Sequence, residues 1–141
     1  MKKLIVLLTA VISINSFAFE SAGEKIDKIK GVQYEVVKIN ENNLTLSKKP
    51  FIVFDRNENG YFAYGSSGCN HFRGQIIENE NTSMKLIKVM GTKKLCEPSR
   101  NEIERVFLST FSERDFFLLK DNDYFILESN GDKIYLKNNK K

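Results

Sequence analysis

Cys69 and His71 stand two residues apart, and Cys96 lies further along; these three are both thiols and the only imidazole of the chain. Such residues can ligate a metal, run thiol–disulfide chemistry or form a structural bridge, and their spacing decides among these. A zinc site takes four ligands, or three and a water, and this set reaches three only while both thiols stay reduced. No Cys-x-x-Cys spacing is present to depress a thiol pKa, as redox pairs require. Serine catalysis would have to recruit His71, and no nucleophile-elbow motif holds a serine out for it. The carboxylate pairs Glu78/Glu80 and Asp121/Asp123 fall in turns, where solvated charge is their ordinary explanation. Gly65, Gly68 and Gly74 do not fit a phosphate loop, which runs from strand through glycines into a helix, because strand follows them here. The expectation is a protein with no catalytic residue, no metal and no cofactor, in which His71 is an exposed loop residue.

The compartment bears on the two thiols. Met1-Lys2-Lys3 is a basic start, Leu4 to Ile14 an apolar run, and Ser16-Phe17-Ala18 places small residues at both ends of a cleavage motif. That layout is a secretory signal peptide over residues 1–18, cut after Ala18. The apolar run falls short of the ~20 residues that a bilayer-spanning helix needs, so no transmembrane segment is expected after cleavage. No cysteine stands at the new N-terminus to carry acyl chains. The expected location is therefore the periplasm in soluble form, or the medium. In such an oxidising compartment an even cysteine count favours a Cys69–Cys96 disulfide. Free buried thiols are the alternative. On the chain-entropy account, closing a loop of this length stabilises by roughly 3 to 4 kcal/mol.

At 141 residues, 41% hydrophobic and 28% charged, the chain has the balance of one globular domain. Its formal charge of +4 includes Lys2 and Lys3, which leave with the signal peptide. The other lysines are dispersed among Asp and Glu, with clusters only at Lys93-Lys94 and Lys140-Lys141. Affinity for nucleic acid needs several converging cations, so nucleic acid is not expected as a partner.

The elements that must position the cysteines are mostly strands. Residues 19–30 read as a polar lead-in, or a short helix around Glu24 to Ile29, before the domain proper at 31–137. Val32, Tyr34 and Val36 alternate with Gln33 and Glu35, the period of a half-buried strand. Leu44 to Leu46 reads as a short strand and Phe51 to Asp55 as a stronger one. The latter turns at Asn59-Gly60, a pair that tolerates the positive φ of tight hairpins, into Tyr61 to Tyr64. The glycines after Tyr64 mark a bend, bulge or close backbone approach. Strand character resumes at Gln75 to Ile77 and at Met84 to Met90.

One helix interrupts the strands. Ser99-Arg100-Asn101-Glu102 fits a capping box, and Ile103, Val106, Phe107, Thr110 and Phe111 form an apolar stripe, with Glu104, Arg105 and Ser109 outside it. Phe116 to Leu119, Tyr124 to Leu127 and Lys133 to Leu136 are three further strands. A basic tail, 138–141, ends the chain. Short strands at intervals of roughly ten residues argue for an antiparallel meander curled into a barrel or sandwich. The fold class is α+β, predominantly antiparallel β, a small barrel-like meander with one packed amphipathic helix.

With those residues in view, the chain resembles the META domain family of the HslJ type. Gly68-Cys69-Asn70-His71-Phe72-Arg73-Gly74 is similar to the family's Gly-Cys-Asn-x-Phe/Tyr-x-Gly signature, and Thr92-Lys93-Lys94-Leu95-Cys96 to its Thr-x-x-x-Cys signature. Glu102 and the helix that follows add to the likeness. The resemblance implies a small β-rich envelope protein with one packed helix; some relatives are linked to heat or antibiotic stress, others to virulence or motility. The motif residues it carries over are Gly68, Cys69, Asn70, Phe72, Gly74, Thr92, Cys96 and Glu102. Asn70 reads as a turn brace, and Thr92 and Glu102 as turn and capping groups.

Two function classes stay open. One is an envelope interaction or stress-protection module that holds a partner protein on a sheet face or edge. The other is a binder of a small apolar ligand or lipid, inside the barrel or beneath the helix. The eleven phenylalanines fit either, since aromatic residues also simply fill cores. An interior cavity of several hundred Å³ favours the ligand; a filled interior with an exposed aromatic patch favours the partner.

Overall fold

The computed structural model describes residues 19–140. The signal peptide read at residues 1–18 lies outside the described residues. The described residues begin with helix α1 (Ala22–Ile29), followed by strands β1 (Gln33–Ile39), β2 (Asn42–Asn43), β3 (Phe51–Asn57), β4 (Gly60–Ser66), β5 (His71–Glu78) and β6 (Met84–Gly91). Helix α2 (Pro98–Phe111) comes next, and then β7 (Asp115–Asp121), β8 (Tyr124–Ser129) and β9 (Asp132–Asn138). Every strand pairing is antiparallel between neighbours in the order β1-β3-β4-β5-β6-β7-β8-β9. β9 returns to β1, with Tyr34 opposite Asn138 and Ile39 opposite Ile134, so the meander closes into a ring.

Closure follows from the alternation in the sequence. Tyr34 and Val36 of β1, Phe72, Gly74 and Ile76 of β5, and Ile134 and Leu136 of β9 point inward and are buried, because side chains two apart on a strand share a face. Their core takes in Phe54, Ala63, Leu86, Phe107 and Phe111, forming one contiguous cluster. Asn122 and Asn130 adopt the positive φ that the hairpins β7–β8 and β8–β9 require.

Glycine permits the curl at two points. A Cβ built on Gly65 would lie 2.0 Å from the carbonyl oxygen of Phe51 on the neighbouring strand, and one on Gly74 would lie 2.8 Å from Cγ of Leu86. Gly74 also sits where the β5–β6 register slips by a bulge, and bulges sharpen local twist.

The ring has one short seam. β6 and β7 pair only through Met84 with Phe116 and Lys85 with Asp115. Beside that seam the Glu113 N–H donates to Leu86 O (2.8 Å), and α2 packs on β8 and β9. Phe107 and Phe111 meet edge to face at 4.9 Å, and each also meets Phe72. Burying side chains of this size stabilises by about 2 to 3 kcal/mol apiece.

The structure corrects four expectations. First, the count of one packed helix: of the two readings of residues 19–30 the helix holds, and α1 is capped by a Ser21/Glu24 box and buries Ala22, Ile26 and Ile29. The fold therefore has two packed helices. α1 reaches Arg56 of β3 and Tyr61 of β4 through Asp27 and Leu118 of β7 through Lys25, strands on opposite sides of the ring. The second short strand is Asn42–Asn43, not Leu44 to Leu46, since Asn42 and Asn43 pair back onto Ile39 and Lys38. Third, Ser99 and Glu102 form no capping box. Glu97 takes the N-cap position without a side-chain bond, because Pro98, whose fixed φ suits the first helical position, starts the helix before Ser99. Last, Glu104 does not lie outside the buried stripe, as described next.

Candidate functional site

The signature residues converge where the β4–β5 loop, the segment after β6 and the start of α2 meet. Cys69 and Cys96 are joined by a disulfide across 27 positions, with a Cα–Cα separation of 5.9 Å. Gly68 takes a φ of +99°, a left-handed value that a side chain would strain. Its carbonyl accepts from Arg100 Nε (2.9 Å) on α2.

Asn70, 6% exposed, is the hub. Its Oδ1 accepts from the Lys94 N–H (2.8 Å) and from Thr92 Oγ1 (3.0 Å), while its Nδ2 donates to Lys94 O (3.1 Å) and to Glu104 Oε1 (3.0 Å). All four hydrogen-bonding positions of the carboxamide are in use. The Asn70 backbone N–H donates to Glu104 Oε2 (2.9 Å), and the fully buried Ser67 hydroxyl donates to the same oxygen. Thr92 Oγ1 also accepts from His71 N (3.1 Å), and Thr92 N donates to His71 O (3.1 Å). One helix, one strand end and one loop are thereby tied through a single amide, and losing any partner would leave buried groups unpaired at about 1 to 3 kcal/mol each.

Phe72, next but one to His71's predecessor, turns into the core against Phe107, while the His71 side chain faces solvent. Both sulfurs are consumed by the disulfide, so Cys69, His71 and Cys96 form no ligand set. Glu102 lies on the exposed side of α2 and pairs with Arg105 (Oε2–Nε 2.9 Å). That contact holds the Glu102 carboxyl below its ordinary pKa, chiefly through the Arg105 hydrogen bond. The carboxylate that joins the cluster is Glu104.

Glu104 was legible in principle. With Phe107, Leu108 and Phe111 it falls at i, i+3, i+4 and i+7, a helical face as regular as the one that begins at Ile103. Its charge hides it, since a carboxylate on a buried face needs partners that the sequence alone does not place. Asn101 is the other residue missed: its Nδ2 donates to Cys96 O (2.8 Å) and its Oδ1 accepts from Cys96 N (3.1 Å).

A second group of residues faces outward on β4, β5 and β6. Phe62 and Tyr64 stack with centroids 6.0 Å apart, and the Arg73 guanidinium lies 4.4 Å from the Phe62 ring centre. Tyr64 stands opposite Arg73, and Arg73 opposite Met90. Met90 is 73% exposed and Leu95, in the loop after β6, 90% exposed.

A closed antiparallel ring, two packed helices and one disulfide clamp define a small stapled β-barrel domain with no transmembrane helix among its described residues. The sequence matches the META domain over residues 27–141, so the chain belongs to the META domain family. An NMR structure of a protein from Burkholderia xenovorans is similar in fold, with a TM-score of 0.62 at 12% identity, covering 88% of this chain and 93% of that one. A second NMR structure gives 0.61 at 17% identity, over 79% of this chain and 92% of the other. At such identities the likeness is one of fold. No curated protein matches the sequence.

Proposed function

We propose that this META domain protein is exported to the periplasm and works without catalysis, as an interaction or stress-protection module that holds a partner protein on the outer face of β4, β5 and β6. The observation that carries the reading is the pairing of a side-chain-filled barrel with the exposed Tyr64, Arg73 and Met90, set around the half-buried Phe62. Aromatic residues, Met and Arg are the types enriched at protein interfaces, and an Arg held over an aromatic ring is already oriented for contact. The disulfide fits an oxidising compartment, as does the signal-like start of the sequence. An apolar ligand inside the barrel is disfavoured, because Phe54, Phe107, Phe111 and Leu127 occupy that space.

The test is crosslinking of the tagged protein in its own envelope, set beside a Met90→Asp/Leu95→Asp variant. A discrete crosslinked species that disappears in the variant, at unchanged melting temperature, supports the reading. Identical crosslinks from both proteins count against it.

A further inference from the structure

At the α1 end, a cleft of about 740 Å³ opens between that helix and strands β7 and β8. Ile29, Leu118, Leu119 and Phe125 give it an apolar floor. Its polar members are Lys25, Lys28, Lys120 and Glu20, together with Tyr34. Three lysines against one glutamate make the cleft cationic, and that glutamate is engaged by Lys28. Lys25 and Lys120 have no carboxylate partner among the described residues. Lys25 Nζ donates only to the Leu118 carbonyl (3.2 Å), and the Lys120 ammonium lies 5.8 Å from the Phe125 ring centre, directly beside the apolar floor.

Tyr34 supplies an independent sign. It is only 5% exposed, its ring edge meets Phe125 at 5.3 Å, and its hydroxyl makes no hydrogen bond to another described residue. The hydroxyl lines the cleft and is open to a group bound there. Burial raises the Tyr34 pKa, so the group is an O–H donor at neutral pH.

We propose that this cleft binds an acyl carboxylate, a single apolar chain ending in one anionic group. The chain lies along Ile29, Leu119 and Phe125, and the carboxylate meets the ammonium groups of Lys25 and Lys120 and accepts from the Tyr34 hydroxyl. The volume lies within the few hundred to about 1,000 Å³ of small-molecule sites. An uncharged chain would leave the two ammonium groups without a counter-charge, and a small anion would leave the floor wet. The site shares no residue with the partner face on β4 to β6, so either proposal can fail alone.

The experiment titrates dodecanoate, below its micelle concentration, into isotope-labelled protein purified as the producing cell processes it. Amide shifts are followed, with dodecanol and acetate as parallel probes. The expected result is saturable binding with shifts at Tyr34, Leu118, Leu119 and Phe125. Lys25→Gln/Lys120→Gln should weaken it about tenfold or more, and Tyr34→Phe roughly three- to tenfold, as lost bonds to a charged group do. Lys120→Gln alone, which removes no hydrogen bond of the fold, should also weaken it measurably. Absence of saturable shifts, shifts confined to other faces, equal binding of dodecanol or acetate, or indifference to the lysine substitutions would each overturn the proposal.

Discussion

The carboxamide of Asn70 donates to the carboxylate of Glu104 at 3.0 Å, and the Asn70 backbone N–H reaches the other oxygen of that carboxylate at 2.9 Å. A loop residue and a helix residue 34 positions apart thus share a two-point, charge-assisted contact. Through Lys94 and Thr92 the same amide holds the segment that ends at Cys96. The signature residues therefore act on the fold.

Glu104 and Glu102 should separate cleanly in a mutational comparison. Glu104→Ala leaves the Asn70 backbone and side-chain donors unpaired and should lower unfolding free energy by roughly 2 to 3 kcal/mol. Glu102→Ala removes an exposed ion pair and should leave the denaturation midpoint nearly unchanged. Urea unfolding of both variants checks this; equal losses would contradict the assignment.

Reduction of the disulfide should destabilise without erasing the fold. The bridge closes a 27-residue separation, worth roughly 3 to 4 kcal/mol on the chain-entropy account, while the Asn70 bonds still tie the same segments together. Denaturant unfolding with and without reductant measures the difference. A reduced protein as stable as the oxidised one would rule out a stabilising bridge.

Acid should act through Asp27. The Tyr61 hydroxyl donates to its carboxylate at 2.9 Å, and that bond, opposed by burial and helped by Arg56 and Lys30, holds the Asp27 pKa below its ordinary value. A depressed folded-state pKa gives stability that is present above the unfolded value and lost as pH falls through the folded one. The loss therefore falls below about pH 4. Unfolding midpoints measured from neutral pH downward should fall less steeply for Asp27→Asn than for wild type, and parallel acid limbs would exclude this role.

The strands were legible because Tyr34/Val36 and the C-terminal hairpins write their faces in period two. α1 was harder to read. Its Ala22, Ile26 and Ile29 are few among charged residues, and they count only once the barrel end that they cover exists. The disulfide could be inferred from the signal-like start and the even cysteine count. The Asn70 network could not, because it joins residues 22 to 34 positions apart through side chains whose directions depend on the turn at Gly68. Glu104 shows the limit most clearly, since hydropathy places a carboxylate outside while a buried amide hub requires one inside.

The most direct measurement is a double-mutant cycle on Asn70→Ala and Glu104→Ala, read by urea unfolding of both single variants, the double variant and the wild type. If the signature is a clamp, the two effects are coupled by about 1 to 3 kcal/mol, with the double variant losing less than the sum. Effects that add to within about 0.5 kcal/mol would contradict it.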